Sequence, residues 1–361
     1  MSQTLLVNKS DFADIAIVKS EPAALADGEI RLSLGPCALT ANNVSYMVTG
    51  ERIGYWDYFD PAAYGIELEG FGRMPVWGYA RVEQSRCEGI EAGQEIYGFF
   101  PITERFDMRP IKISAHGFMD GAAHRLALHD IYNRYSFTQA DPSYAVQKDL
   151  QPLLRPLFTT SFLIDDFLAA ENYFGAEQVL ILSASSKTAL GTAFCLEARG
   201  DIKIAGLTSE ANMAFTQSTG FYNEVQSYEA LTDLNPDVKT VIVDMSGNAK
   251  VTARLQDHFE ENLTYICKVG LSHWTAGKAE PSAQKTPKAF FFAPDHAQRR
   301  LDDWGTQGFA QKLGARWIPF LESASHWLKV ETYNGATPML KAYKEVLSGT
   351  AVPDIGYLFK L

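Results

Sequence analysis

Five short apolar runs recur between residues 178 and 294, and they constrain the fold more than any other feature of the chain. They are "QVLILSA" (178–184), "IKIAGLT" (202–208), "TVIVDMSG" (240–247), "YICKVGL" (265–271) and "AFFFAP" (289–294). None alternates apolar with polar residues. An uninterrupted apolar strand is one buried on both faces, as in a parallel sheet covered by helices. Helical stretches follow the first two runs. "TALGTAFCLEARG" closes on Gly200 and "SEANMAFTQSTG" on Gly220, glycine being the residue that most readily ends a helix in the left-handed conformation. The β-α-β rhythm predicts a doubly wound α/β domain.

The chain before it reads differently. "GEIRLSLGPCAL" alternates, with Ile30, Leu32 and Leu34 on one face and Arg31 and Ser33 on the other. "MPVWGYARVEQS" and "GQEIYGFFPI" follow as strands punctuated by glycine and proline, which favours a small barrel or bent sheet. The segment 102–150 is polar and irregular, an elaboration of that domain. A helix is expected after Pro156 in "LLRPLFTTSFLIDDFLAAENYFG", and the tail offers a helix, "TPMLKAYKEVLSG", and a last strand, "IGYLFKL". A chain of 361 residues exceeds one ordinary core. The expected organisation is a β-rich domain over 1–155, an α/β domain over 156–315 and a segment 316–361 returning to the first. Two such domains leave a cleft, a common place for a ligand.

Charge and cysteine usage exclude several classes. The formal net charge of −11, with no basic stripe to offset it, argues against a nucleic-acid partner. Cys37, Cys87, Cys195 and Cys267 are widely spaced and form no CxxC pair, so neither structural zinc nor a disulfide framework is expected. The N-terminus has no basic segment followed by an apolar core, and no apolar run approaches a membrane span. The expectation is a cytoplasmic protein with a small-molecule substrate and no membrane contact.

The turn after the first apolar run, "LSASSKTALG" (182–191), is where a dinucleotide-binding unit carries its glycine-rich loop. No GxGxxG is present, but small residues persist at Ser183, Ala184, Ser185, Ser186, Ala189 and Gly191. Ser185, Ser186, Lys187 and Thr188 would place hydroxyls and a positive charge at a helix start, where phosphate binds. Ser185 and Ser186 are equally readable as plain helix caps. The second run ends in Thr208-Ser209, without the carboxylate that holds the ribose hydroxyls in NAD sites. That leans toward NADP; Glu210 keeps NAD open, and Ser209 is also a natural N-cap.

Taken in order, these elements resemble the medium-chain dehydrogenase/reductase superfamily, in its zinc-free, quinone-oxidoreductase-like branch, and more narrowly an uncharacterised bacterial family related to it. The resemblance covers nearly the whole chain. "GEIRLSLGPCALTANNVSYMVTG" is similar to the opening strand and active-site segment, "MPVWGYARVEQSRCEGIEAGQEIYGF" to the family's next two strands, and "QVLILSASSKTALGTAFCLEARG" to its cofactor strand and turn. It implies a GroES-like β-rich domain and a Rossmann domain, NADP as cofactor, and a homodimer. It places Tyr46, with Asn42 and Asn43 beside it, at the reacting end of the substrate. Cofactor contacts would come from Ser183, Ser185, Ser186, Lys187, Thr188, Thr208, Ser209 and Tyr228, with Asp244, Ser246 and Gly270 on the later strands "VIVDMSGN" and "ICKVGL". Zinc-using members carry Gly-His-Glu where this chain has Gly78-Tyr79-Ala80, so no metal is expected. Asn212 stands near the place of a phosphate-holding lysine in relatives.

The implied activity is reduction of a small carbonyl, quinone or enone compound by NADPH, with hydride transfer in the interdomain cleft. Two alternatives belong to other classes. One is a binding protein that kept the fold without redox use. The other is a serine hydrolase built on "GLSHW" (270–274) and His326. Tyr46 also has a structural reading, as one ring of an aromatic core with Tyr55, Trp56, Tyr58 and Phe59. Asp165, Asp166 and the Arg299-Arg300 pair read most simply as solvated helix charges.

Overall fold

The computed structural model describes residues 1–270 and 285–361. They form two compact units, Met1–Leu153 with Lys329–Leu361, and Leu154–Leu328. The first opens with β1 (Ser2–Asn8), β2 (Ile15–Ser20) and β3 (Ile30–Leu39), passes through helices α1 (Ala41–Val48) and α2 (Gly50–Ile53), and continues as β4 (Phe71–Gly72), β5 (Pro75–Ser85), β6 (Glu95–Pro101), β7 (Arg105–Met108), β8 (Pro110–Ser114), β9 (Gly117–Asp120) and β10 (Arg134–Phe137). Helix α3 (Gln151–Ala170) leads into β11 (Gln178–Leu182), α4 (Lys187–Arg199), β12 (Lys203–Thr208), α5 (Glu210–Ser218), β13 (Glu224–Ser227), β14 (Thr240–Asp244), α6 (Ala249–Phe259), β15 (Leu263–Lys268), β16 (Lys288–Phe290) and α7 (Ala293–Trp327). The chain then returns to the first unit as β17 (Lys329–Asn334), α8 (Ala336–Ser348) and β18 (Ile355–Lys360).

In the second unit the strand order is β13-β12-β11-β14-β15-β16, all parallel. Counted from β11 this is 3-2-1-4-5-6, the Rossmann order, whose topological switch point lies between β11 and β14. Every residue of β11 and β14 is buried, as uninterrupted apolar runs require. Gly200 ends α4 in the left-handed conformation, its N–H donating to the carbonyl of Leu196. Helix α3 begins at Gln151, before Pro156, rather than after it. Gln151 is fully buried and its amide donates to the carbonyls of Ser143 and Val146, while Leu153 and Leu154 are also fully buried. Anchoring of that first stretch outweighs the hydrogen bond the proline cannot make.

The first unit holds a long sheet, β17-β18-β3-β5-β6-β10-β9-β8, with β7 also on β3, and a small sheet β2-β1-β4. The closing strand β18 pairs antiparallel with β3, Phe359 opposite Cys37. Alternation in β3 buries Ile30 and Leu32, but Arg31 is buried too, gripping Asp107 of β7 with Nε and Nη2 at 2.7 Å each. The polar segment 102–150 supplies β7 to β10. It is organised by Arg125 and Asp120, both fully buried and paired at 2.7 Å. Arg125 also donates to the Tyr132 carbonyl and the Tyr135 hydroxyl. The segment also buries Phe106, Met108, Phe118, Tyr132, Tyr135 and Phe137, but an ion pair leaves no apolar pattern to announce it. Among the described residues no helix is long and apolar enough to cross a membrane.

Candidate functional site

The turn at the switch point follows from the end of β11. Ser183 has φ 57°, the left-handed region that costs a non-glycine residue roughly 1–2 kcal/mol. A serine therefore holds the conformation that glycine supplies in a glycine-rich loop. Its N–H donates to the Tyr228 hydroxyl at 2.8 Å, so Tyr228 braces the turn. Burial pushes the Tyr228 phenol above its usual range, which keeps it protonated. Tyr222 donates from its hydroxyl to the Ala184 carbonyl at 2.8 Å. Gly206 of β12 permits this packing, since a Cβ there would lie 2.8 Å from Ala184 Cβ and 3.0 Å from the Tyr222 ring.

Ser186 caps α4, its hydroxyl accepting from the Ala189 N–H at 3.4 Å. Lys187 is the first residue of that helix, and no acidic side chain lies in the first turn. A cation at a helix N-terminus is opposed by the helix dipole unless an anion joins it. Ser185 is buried and its hydroxyl meets Thr208 at 3.1 Å and Asn212 at 3.2 Å. The turn, the end of β12 and the start of α5 are thereby tied together. Ser209 stands at the N-cap of α5, exposed, and its side chain makes no capping bond. Gly191 lets α4 press on α3: a Cβ there would meet Ser161 Oγ at 2.7 Å.

On the far side of the switch point, Asp244 and Ser246 build the next loop. The buried Asp244 carboxylate accepts from the Ser246 N–H and hydroxyl and the Gly247 N–H at 2.7–2.9 Å, and from the Thr252 hydroxyl at 3.3 Å. Gly270 donates its N–H to the Asp244 carbonyl, and a Cβ on it would lie 2.5 Å from the Met245 carbonyl oxygen. Their shared role is a close backbone approach at the carboxyl ends of β14 and β15.

The first unit contains the second constellation. Thr40 caps α1, and Asn43 completes a capping box, its side-chain oxygen accepting from the Thr40 N–H at 2.7 Å while its amide donates to the Pro75 carbonyl. Asn43 is thus spent on the helix start. Asn42 is not: its amide donates to the Tyr46 hydroxyl, one helical turn on, at 2.6 Å. Trp77 of β5 donates its indole N–H to the same oxygen at 2.9 Å. Two N–H donors occupy the lone pairs of that oxygen and leave its own proton to be given away. Burial pushes the Tyr46 phenol far above its usual range, with Asn42 and Trp77 pulling the other way. The hydroxyl is accordingly protonated at neutral pH.

Around it stand Tyr55 at 4.6 Å between ring centroids, Phe99 edge-on at 5.2 Å and Tyr132 at 6.3 Å. The aromatic segment divides: Tyr55, Tyr58 and Phe59 join Tyr46, whereas Trp56 turns into the other core, with Leu5, Val7 and Phe359. Trp77 is not among the candidates read from the sequence; it reaches Tyr46 from a strand 31 residues on, and no local motif marks that contact.

Other sequence candidates are placed as follows. Ser272 of "GLSHW" lies outside the described residues, and exposed His326 keeps Nδ1 2.9 Å from the carbonyl of Glu322 on its own helix. Cys37 is buried and its thiol is pushed up by burial. Asp165 is buried and held by both Nε and Nη2 of Arg199, and Asp166 pairs with Arg300, so these are ion-pair partners rather than solvated charges. Among the described residues no three His, Cys, Asp or Glu side chains gather as metal ligands.

The family described as "Protein of unknown function (DUF2855)" matches residues 37–352. No curated protein matches the sequence. Among solved structures, the chain is similar to CurA from Vibrio vulnificus in complex with NADPH, at 12% identity and TM-score 0.61, over 99% of this chain and 98% of that one. It is similar to the yhdH oxidoreductase from Salmonella enterica in complex with NADP, at 14% identity and TM-score 0.53, over 100% of both chains. It is also similar to the quinone oxidoreductase from Coxiella burnetii, at 12% identity and TM-score 0.56, over 100% of this chain and 99% of that one. At such identities the likeness speaks for the fold, a GroES-like unit and a Rossmann unit as in medium-chain dehydrogenase/reductases.

Proposed function

This chain belongs to the DUF2855 family, and on that premise we propose that it is an NADPH-dependent reductase of a small carbonyl, quinone or enone compound that works without zinc. The observation that carries this is the Ser183 turn: a left-handed residue directly after the first strand of a 3-2-1-4-5-6 sheet, leading into a capped helix. Ser183 to Thr188 would hold the pyrophosphate, with Lys187 supplying charge. Ser209, exposed and without a capping bond, would hold the 2′-phosphate. Bound NADPH supplies the hydride. Tyr46 gives its proton to the substrate oxygen as charge develops there, and Asn42 and Trp77 stabilise the phenolate left behind. The reading includes a cytoplasmic homodimer, which native mass spectrometry checks.

The test is calorimetric titration with NADPH, then NADPH oxidation over a quinone and enone panel. Lys187→Ala should weaken NADPH binding. Tyr46→Phe should bind NADPH as before and turn over about 10²-fold slower or worse. Absence of NADPH binding would sink the proposal.

One observation favours a second reading, a binding protein without redox use. The Ser183 N–H and the Ser185 hydroxyl, both within the turn, are already taken by Tyr228, Thr208 and Asn212. A small molecule retained in native mass spectrometry, with no turnover across the panel, would select it.

A further inference from the structure

Arg73 lies between β4 and β5 with 2% of its surface exposed. Its guanidinium carbon sits 4.0 Å over the ring of Tyr64, which covers one face. Nε and Nη2 are both buried, and neither has an acceptor among the described residues. Asp60 acts on this charge only through space, without an ion pair. Burial lowers the Arg73 pKa to about 10, so the group is still a cation at neutral pH. A desolvated charge is costly unless something of opposite sign meets it.

Which two atoms are unmet is informative. Nε and Nη2 form the edge of the guanidinium that takes both oxygens of one carboxylate. Among the described residues, three other arginines put that edge on both oxygens of one carboxylate. Arg31 holds Asp107 at 2.7 and 2.7 Å, Arg105 holds Glu83 at 2.7 and 3.0 Å, and Arg199 holds Asp165 at 2.9 and 2.7 Å. Arg73, more buried than Arg31, presents the same edge to no carboxylate among the described residues. Neighbouring groups do not relieve it. The Tyr64 hydroxyl is itself buried without a hydrogen-bond partner among the described residues. The open Nε and Nη2 are both donors on a cation, which suits an anion. Ordered water satisfies hydrogen bonds but leaves the charge unanswered.

We propose that Arg73 binds a small carboxylate-bearing ligand, both oxygens on Nε and Nη2, with the Tyr64 ring holding the guanidinium flat beneath it. The site is in the β-rich unit and stands independently of the reductase reading. Phosphate offers a comparable pair of oxygens, and the experiment separates the two.

The full chain, free of added nucleotide, is titrated with acetate, benzoate and phosphate against chloride at matched ionic strength, by thermal shift and calorimetry. A carboxylate should raise the melting temperature above the chloride control. Arg73→Lys keeps the charge but loses the fork, and should weaken carboxylate binding about tenfold or more. Tyr64→Leu should weaken it as well. Lys187→Ala, in the other unit, should leave it unchanged. If Arg73→Lys folds poorly, Tyr64→Leu carries the comparison alone. A response to phosphate only, no response beyond chloride, or a carboxylate response that both variants retain overturns the proposal.

Discussion

Removing one partner of the Asp120–Arg125 pair should be among the most damaging single changes in the β-rich unit. Both side chains are fully buried and 2.7 Å apart. Arg125 adds bonds to the Tyr132 carbonyl at 2.9 Å and the Tyr135 hydroxyl at 3.0 Å, and lies 4.7 Å over the Phe59 ring. Asp120 also accepts from the Ala122 and Arg109 N–H groups. Asp120→Asn keeps the shape and leaves those N–H groups an acceptor, but strands the guanidinium without a counter-charge. Breaking a buried pair from one side costs about 3–5 kcal/mol. For a unit of this size that corresponds to about 6–20 °C in melting temperature. Arg125→Met should cost a similar amount, because it strands a carboxylate. The double variant should cost clearly less than the two singles added, since neither charge is then left alone. Hydrogen exchange at β9 and β10 reads the loss locally in a chain of two units. Exchange there that stays as slow in Asp120→Asn as in the unaltered chain would refute the reasoning, as would additive costs in the double variant.

Three further outcomes are expected. Gly191→Val should lose about 1–3 kcal/mol in chemical unfolding, because its side chain would press on Ser161 Oγ and Phe158 where α4 meets α3; unchanged stability would show that the helices can part. Ser183→Gly should stay within about 1 kcal/mol of the unaltered protein, relief of the left-handed strain being offset by a freer unfolded chain, whereas Ser183→Val should be clearly worse in the same unfolding assay. His296, half-buried and stacked on Phe291 at 4.0 Å, has its pKa lowered first by burial and then by Arg299. The unfolded chain therefore binds this proton more readily, so its contribution is complete above about pH 6.5 and is lost as pH falls through the lowered value. His296→Gln should flatten the slope of stability below that pH, and an unaltered slope would exclude the residue.

The α/β half was legible because its strands bury both faces, so hydrophobic runs such as "QVLIL" and "TVIVD" declare themselves without context. The left-handed Ser183 was not legible, since serine gives no sign of a positive φ; it shows only once Tyr228 is seen to brace it. Asn42 and Asn43 are adjacent and chemically alike, and the capping box rather than the residue type decides which one reaches Tyr46. Arg125 and Asp120 were hidden for a different reason: they lie five residues apart on an irregular segment, and their pairing follows no helical or strand period. Trp56 and Tyr55 fall into separate cores because neighbours on an irregular segment diverge, which composition does not record.

The pairing of β18 with β3 sets a timetable for synthesis. Strand β3 emerges early, yet its partner, Tyr357 to Phe359, follows the whole stretch Leu154–Leu328. At ribosomal rates of about 5–20 residues per second that delay is roughly 15–60 s. For that interval the edge of β3 at Cys37, Ala38 and Leu39 has backbone groups without their final ladder, and such an edge invites pairing with other chains. Loss of the last strand would make that vulnerability permanent, so nascent-chain quality control should discriminate sharply against molecules cut short before Ile355.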